Sequence, residues 1–311
     1  MSKFINKLPI PIVGLMLALG ATGNLVLSYG NIYRNIFGCI SGIILLLVLI
    51  KIILYPKEIV NSLDNPVVAS VFPTLSMGIM ILSTYLRPWA PSLAYFIWII
   101  GLVLHCILII YFTKKHVIGF NIKKVFPSWF IVYVGIVVGS VTAPTFGMEG
   151  VGKILFWFGL VSYFLMLPIV TKRVFKVKEI PEPALPTLVI YSAPGSLCLA
   201  GYMSSFQDKS LFLVYFLLCL SQLIYLLVLI KLPSLLKLKF YPSYSAFTFP
   251  LVITGISLKL TNGFLTNTGR PIALLKYLVK FEEFIAVAIV LYVLIKYISF
   301  QFGQTDSKKT A

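Results

Sequence analysis

Residues 211–220 read Leu-Phe-Leu-Val-Tyr-Phe-Leu-Leu-Cys-Leu, and residues 42–50 read Gly-Ile-Ile-Leu-Leu-Leu-Val-Leu-Ile. Neither run shows the period-two alternation of a barrel strand, and neither has a polar side to offer to water. In lipid, such a run satisfies its backbone donors and acceptors by forming a helix. Runs of this kind fill the chain, which has 311 residues, 59% hydrophobic and 11% charged, with mean hydropathy +0.99. Soluble domains carry about a quarter of their residues charged. The fold class is therefore an all-α integral membrane protein. At about 20 residues per crossing the length accommodates about ten transmembrane helices. That leaves no room for a sizeable soluble domain, so 1–311 reads as a single transmembrane domain.

Working outward from those two runs, breaks at charges, Pro and Gly place spans near 9–29, 35–54, 66–86, 92–113, 127–147, 153–171, 185–205, 210–230, 242–259 and 273–298. The opening MSKFINKLPIPIVGLML has a basic start and an apolar run without Ala-x-Ala cleavage chemistry, and reads as the first membrane helix. The 26 Lys+Arg against nine Asp+Glu give a net charge of +17. These charges lie between apolar runs and act as topology signals, so no nucleic-acid partner is implied. With ten crossings, 18 of the 26 basic residues fall on the side of the two termini, which the positive-inside rule makes cytoplasmic in a multi-pass protein of the cell membrane. Cys39, Cys106, Cys198 and Cys219 lie inside apolar runs without metal-ligand spacing and read as packing residues, with neither disulfide nor metal implied.

A proline opens each odd-numbered span: Pro11, Pro66, Pro127, Pro186 and Pro242, spaced 55 to 61 residues apart. The recurrence predicts five parallel helical-hairpin repeats at approximately 8–55, 65–113, 126–171, 184–230 and 241–298. A second mark follows each proline, at Gly20, Pro73, Gly135, Pro194 and Pro250. These residues predict a kink at matched depth in every odd helix, around a shared cavity, because broken helices are tolerated in lipid only where protein or water meets the freed groups. The odd helices also carry the small and hydroxyl residues, such as Gly14, Ala18 and Thr22 or Gly139, Ser140 and Thr142. Small residues allow close approach of backbones, so the odd helices are expected inside, around a central pore, and the bulkier even helices outside.

The expected lumen is uncharged. No Asp, Glu, Lys, Arg or His occurs in 8–33, 65–86, 125–148, 183–207 or 240–258. An ion-coupled carrier needs an embedded ionisable group, and ATP coupling needs a phosphate loop; neither is found on these helices. His105, on an even helix, reads as a hydrogen-bonded packing residue. Glu282 and Glu283 read as facing water or Lys280. No HExxH motif or embedded Ser/His pair supports an enzyme, and neither catalytic residues nor a cofactor are expected. Passive permeation is the economical reading, and a tube without acidic rings does not concentrate cations. Lys259, Arg270, Lys276 and Lys280 form an outer basic cluster that reads either as a funnel for anions or as a solvated loop, and the connection 260–271 reads as a longer loop than its counterparts.

Leu8-Pro-Ile-Pro-Ile-Val-Gly-Leu15, the stretch Pro66 to Pro73, Pro127-Ser-Trp-Phe130 and, most specifically, Ala246-Phe-Thr-Phe-Pro-Leu251 occur in order along the chain. In this the sequence resembles the tellurite-resistance/dicarboxylate transporter (TDT) family, of the bacterial TehA and plant slow anion channel type. The resemblance implies five hairpins around a pore, a homotrimer with one pore in each protomer, and a ring that blocks the pore. The matching position for this phenylalanine gate is Phe249. Phe72, which precedes Pro73, is a second pore candidate, whereas Phe247 should face away. The expected activity is passive conduction of small inorganic anions such as chloride or nitrate. A secondary carrier for dicarboxylates or other organic anions, which the same family includes, is the alternative.

Overall fold

The computed structural model describes residues 2–306, so Lys308 and Lys309 of the basic count lie outside the described residues. Described residues form helices and connections, with no strand among them. After a short α1 (Ser2–Asn6), the apolar α2 (Ile12–Leu25) leads to the long α3 (Asn31–Leu54) and a short α4 (Pro56–Ser62). Then come α5 (Pro66–Val71), α6 (Thr74–Leu86), α7 (Pro91–Phe112), α8 (Trp129–Val134), α9 (Val137–Thr142) and α10 (Glu149–Thr171). The chain closes with α11 (Ala193–Ser205), α12 (Leu211–Leu236), α13 (Phe249–Asn267) and α14 (Ala273–Asp306).

Seven of these stretches are long and apolar enough to cross a membrane: Asn31–Leu54, Pro66–Leu86, Pro91–Val117, Trp129–Phe146, Glu149–Val177, Glu182–Ser205 and Leu211–Leu236. The chain is thus a multi-pass membrane protein. At 14 residues, α2 is apolar but short. Helix α14 carries Lys276, Lys280, Glu282 and Glu283 in its first half, which keeps its hydropathy low there.

The helices sort into two layers. In Pro66–Leu86, Trp129–Phe146 and Glu182–Ser205, 67–83% of the apolar window is buried, against 22–39% for the long uninterrupted stretches α3, α7, α10 and α12. Helix α2 packs on α6, α6 on α9, α9 on α11, α11 on α13, and α13 returns to α2, so five helices close a ring. Small residues permit the close packing. A Cβ at Gly201 of α11 would come 2.5 Å from Val137 of α9, and Ser140 of α9 donates to the Gly201 carbonyl while Ser205 donates to the Ser140 carbonyl. The outer helices turn Ile, Leu and Phe side chains such as Ile53, Phe96 and Phe212 away from the ring. Large apolar side chains in that position fit a lipid environment.

The kinks largely fall where proline or glycine places them. Phe72–Pro73 separates α5 from α6, and Gly135–Ile136 separates α8 from α9. A 3-10 segment, Glu182–Ser192, passes into α11 one residue before Pro194, and a second, Pro242–Phe247, ends just before α13, whose first turn holds Pro250. Gly20 is the exception. It lies inside the unbroken α2, and the interruption of this stretch falls earlier, at Pro9–Pro11. There Ile12, Val13 and Gly14 bond three residues back, to Pro9, Ile10 and Pro11. A glycine keeps its amide and costs a helix only about 1 kcal/mol relative to alanine, whereas proline removes a donor and clashes with the preceding turn. Pro11 therefore stands directly before the first residue of α2, as expected of a proline that opens a span, and Gly20 adds no break.

Three further expectations are corrected. The segment from Leu260 to Asn267 continues α13 as helix, so the connection to α14 is short. Cys39, Cys106 and Cys219 are exposed on the outer helices, and only Cys198 is packed inside. Glu282 and Glu283 are both buried, at 1% and 5% exposure, and Glu283 pairs with Lys259 rather than with Lys280. The Lys259 ammonium also donates to the Leu25 carbonyl and the Ser28 hydroxyl, each at 2.7 Å, and the Tyr29 hydroxyl donates to Glu283 at 2.7 Å. This clasp ties the end of α2 to α13 and α14. Glu283→Ala leaves a half-buried ammonium without its carboxylate, and is expected to cost about 1–3 kcal/mol, read as a lower thermal midpoint of the detergent-purified protein.

Candidate functional site

Two cavities lie among the helices of the ring, and Phe249 lines both. The inner one has a volume of about 30 Å³, enough for one water molecule. Its wall is built where the helices are interrupted: Gly14 of α2, Thr74 at the start of α6, Gly135 between α8 and α9, Ala193 and Pro194 opening α11, and Phe249 and Pro250 opening α13. Thr74 and Ser245 contribute the hydroxyl side chains of this wall, and no ionisable residue lines it. Small residues let the backbones of α2 and the Pro242–Phe247 segment approach closely here. A Cβ on Gly14 would come 3.0 Å from the Ser245 Cβ.

The interruptions orient the backbone. Helices α6, α9, α11 and α13 each begin beside this cavity, at Thr74, Val137, Ala193 and Phe249. Helices α5 and α8 end at the same cavity, with Val71, Ile131 and Val134 on its wall, so carbonyl ends of helices meet amide ends there and their dipoles offset one another. Part of the first-turn amides is satisfied locally, as in Leu75 to Phe72 at 2.9 Å and Leu251 to Thr248 at 3.1 Å. What remains at the cavity is an apolar wall without ionisable groups.

Phe249 owes its position to the backbone on both sides. Thr248 sits at φ −88°, ψ −77°, between a 3-10 segment and an α-helix. Its hydroxyl donates to the Ser245 carbonyl at 2.6 Å, and the following Pro250 has no amide to tie the turn down. The ring is buried at 6% exposure between the two cavities. Phe247, two residues earlier, is fully buried against Tyr244 at 4.8 Å and lines neither cavity.

The second cavity is wider, about 280 Å³, and lies at the end of the ring where α2 gives way to α3. Its lining is apolar at Ile81, Val138 and Ile253 beside Phe249, and polar at Asn24, Arg34, Thr84 and Thr142. Of the residues read from sequence as pore or kink positions, Phe249, Pro250, Gly135 and Pro194 meet at the inner cavity; Gly20, Phe72 and Pro73 line neither cavity. Gly14, one of the small residues expected around the pore, does line the inner cavity, whereas sequence reading missed Thr74, Ser245 and Arg34. Arg34 stands near the start of the apolar α3, and a lone arginine in that place signals only topology in the sequence.

His105 of α7 is fully buried and holds two interruptions together. Its Nε2 lies 3.1 Å from the Val132 carbonyl, just before the Gly135 break, and its Nδ1 lies 2.8 Å from the Ser76 hydroxyl, just after the Pro73 break. A carbonyl can only accept, so Nε2 carries the proton, while the single Ser76 hydroxyl proton has two acceptors in reach, Nδ1 and the Pro73 carbonyl at 2.7 Å. His105→Leu strips the Val132 carbonyl of this donor inside lipid, at about 1–3 kcal/mol. Unfolding followed by circular dichroism should show a midpoint several degrees lower, about 2–4 °C per kcal/mol.

No curated protein matches the chain. Residues 7–298 match the family model described as the SLAC1 voltage-dependent anion channel. Nearly the whole chain, including the interrupted helices and the Phe249 turn, lies within this match, and the protein is a member of the SLAC1 family of voltage-dependent anion channels.

Proposed function

We propose that the protein is a passive channel for small monovalent anions, with chloride and nitrate as the expected ions, and that Phe249 is its gate. Membership of an anion channel family sets the class. The observation that carries the finer reading is the position of the Phe249 ring, a common wall of the two cavities inside one ring of helices. An ion entering the wider cavity meets this ring before the narrow one. With the ring in place, the space beyond holds about one water molecule, and an apolar constriction of that size stops ions by steric block and dewetting. When the ring swings aside, the hydroxyls of Thr74 and Ser245 and the backbone at the interruptions replace part of the ion's hydration, while no fixed charge holds it. Weak binding favours passage and ranks anions by their dehydration cost.

In this reading the chain crosses the membrane ten times as five hairpins, with the helices of the ring as the odd members and α3, α7, α10, α12 and α14 as the even ones. The wider cavity faces the exterior, both termini face the cytoplasm, and three protomers associate with one pore each. The rival reading, a carrier for dicarboxylates, requires a binding site for a four-carbon dianion near mid-membrane, and the inner cavity has neither the volume nor the cations for it. Planar-bilayer recording of the purified chain discriminates the two: unitary currents linear in driving force support the channel, and saturable, exchange-driven flux without unitary events supports the carrier.

A further inference from the structure

We propose that Arg34 and its supports form an anion-recognition site on the wall of the wider cavity, one that takes a small planar oxyanion such as nitrate or a carboxylate. The inference rests on the reading of this cavity as the anion entrance and adds a residue that selects what enters.

Arg34 is held without a counter-ion. Its Nε donates to the Asn24 side-chain oxygen at 3.0 Å, and one Nη donates to the Thr84 carbonyl at 3.3 Å. Its guanidinium carbon lies 4.0 Å from the centre of the Tyr85 ring. No carboxylate lies within ion-pair distance of it among the described residues. This sets it apart from Lys259, the other cation at this end of α2, whose charge is met by Glu283.

The support is itself fixed. The Tyr85 hydroxyl donates to the Gly20 carbonyl at 2.6 Å. The ring lies against two glycines from different helices: a Cβ on Gly38 would come 2.3 Å from a ring carbon, and one on Gly23 would come 2.2 Å from the hydroxyl. No other residue type leaves room for the ring at those points. Gly20, expected from sequence to bend α2, here supplies the carbonyl that anchors the aromatic platform.

A guanidinium has five N–H groups in a planar fork, of which two are used here, leaving three for a ligand. Arg34 lines the 280 Å³ cavity that Phe249 also lines. A fork of this shape pairs two parallel N–H groups with two oxygens of an oxyanion, a geometry that a spherical halide cannot match. The partly desolvated setting strengthens the attraction relative to bulk water, and the charge raises the local anion concentration beside the gate.

The test combines a binding readout with a conduction readout. Full-length protein in lipid nanodiscs is titrated with sodium nitrate or sodium chloride at matched ionic strength, and thermal stabilisation is measured for wild type, Arg34→Lys and Arg34→Gln. Currents are recorded from Phe249→Ala with and without Arg34→Gln. Wild type is expected to gain more stability from nitrate than from chloride, R34K to lose that preference, and R34Q to lose the anion response altogether. In currents, R34Q is expected to lower conductance about three- to tenfold at about 0.01 M salt. The difference should vanish near 1 M, where the screening length falls to about 3 Å. If R34Q does not fold, R34K decides: an unchanged nitrate-over-chloride preference overturns the site. Equal anion responses and equal low-salt currents with and without the guanidinium overturn it as well. Loss of the nitrate response in R34Q while F249A carries no current supports the site and overturns the channel reading alone.

Discussion

Replacing Phe249 by alanine is expected to raise anion conductance tenfold or more in voltage-clamped bilayers or oocytes. The ring is the shared wall of the two cavities, and its removal joins a space of about 280 Å³ to one of about 30 Å³ through a gap the size of a benzyl group. A barrier lowered by only about 1.4 kcal/mol gives a tenfold gain in rate. The pair of measurements must include Phe249→Leu, which keeps an apolar plug of similar bulk and is expected to stay near the wild-type current. Phe247→Ala serves as the opposite control. Its ring packs on Tyr244 outside both cavities, so this change is expected to lower stability without opening the path. Equal current from F249A and wild type at equal surface expression would remove Phe249 from the gating role.

The second large effect is expected from a charge placed in the inner cavity. Ala246 lines it beside Phe249. In the F249A background, Ala246→Asp is expected to suppress anion current by about 30-fold or more, and Ala246→Asn to suppress it far less. Two like charges 4 Å apart repel by about 4 kcal/mol at an effective dielectric constant of 20, and half that value already corresponds to about 30-fold in rate. The block has a defined pH dependence. An introduced aspartate repels anions only when ionised, so acidification restores current and alkalinisation deepens the block. A block independent of pH and equal in A246N would make the effect one of volume rather than charge.

Much of the fold was legible because lipid simplifies the rules. Uninterrupted apolar runs such as 42–50 and 211–220 had to be helices, and small-residue runs such as 193–201 had to lie where backbones meet. Four of the five expected interruptions lie at or beside their marker, since Pro73, Pro194 and Pro250 lack an amide and Gly135 sits where a Cβ would come 2.1 Å from the Ile131 carbonyl. The fifth failed for a readable reason. Pro9 and Pro11 already interrupt the stretch, and Gly20 retains its amide, so α2 runs through it. The site was less legible than the fold. Phe249 could be named through its resemblance to a family motif, but nothing in the spacing of residues reveals that Gly14 and Ser245, 231 positions apart, approach to close the same wall. The pairing of Lys259 with Glu283 was likewise hidden, since Lys259 reads as part of a funnel or a solvated loop and Glu283 as facing water or Lys280, with nothing in the spacing to join them. Arg34 shows the same limit from the other side, because its meaning comes from Tyr85 and Asn24, which reach it from other helices.

The most direct test of the claim that an uncharged, ring-closed path conducts anions is the reversal potential of Phe249→Ala in a bilayer bathed by unequal potassium chloride solutions. The account predicts a reversal at the chloride equilibrium potential, moving when nitrate replaces chloride on one side and staying put when sodium replaces potassium. A reversal at the potassium equilibrium potential, or no current above that of the empty bilayer, would contradict it.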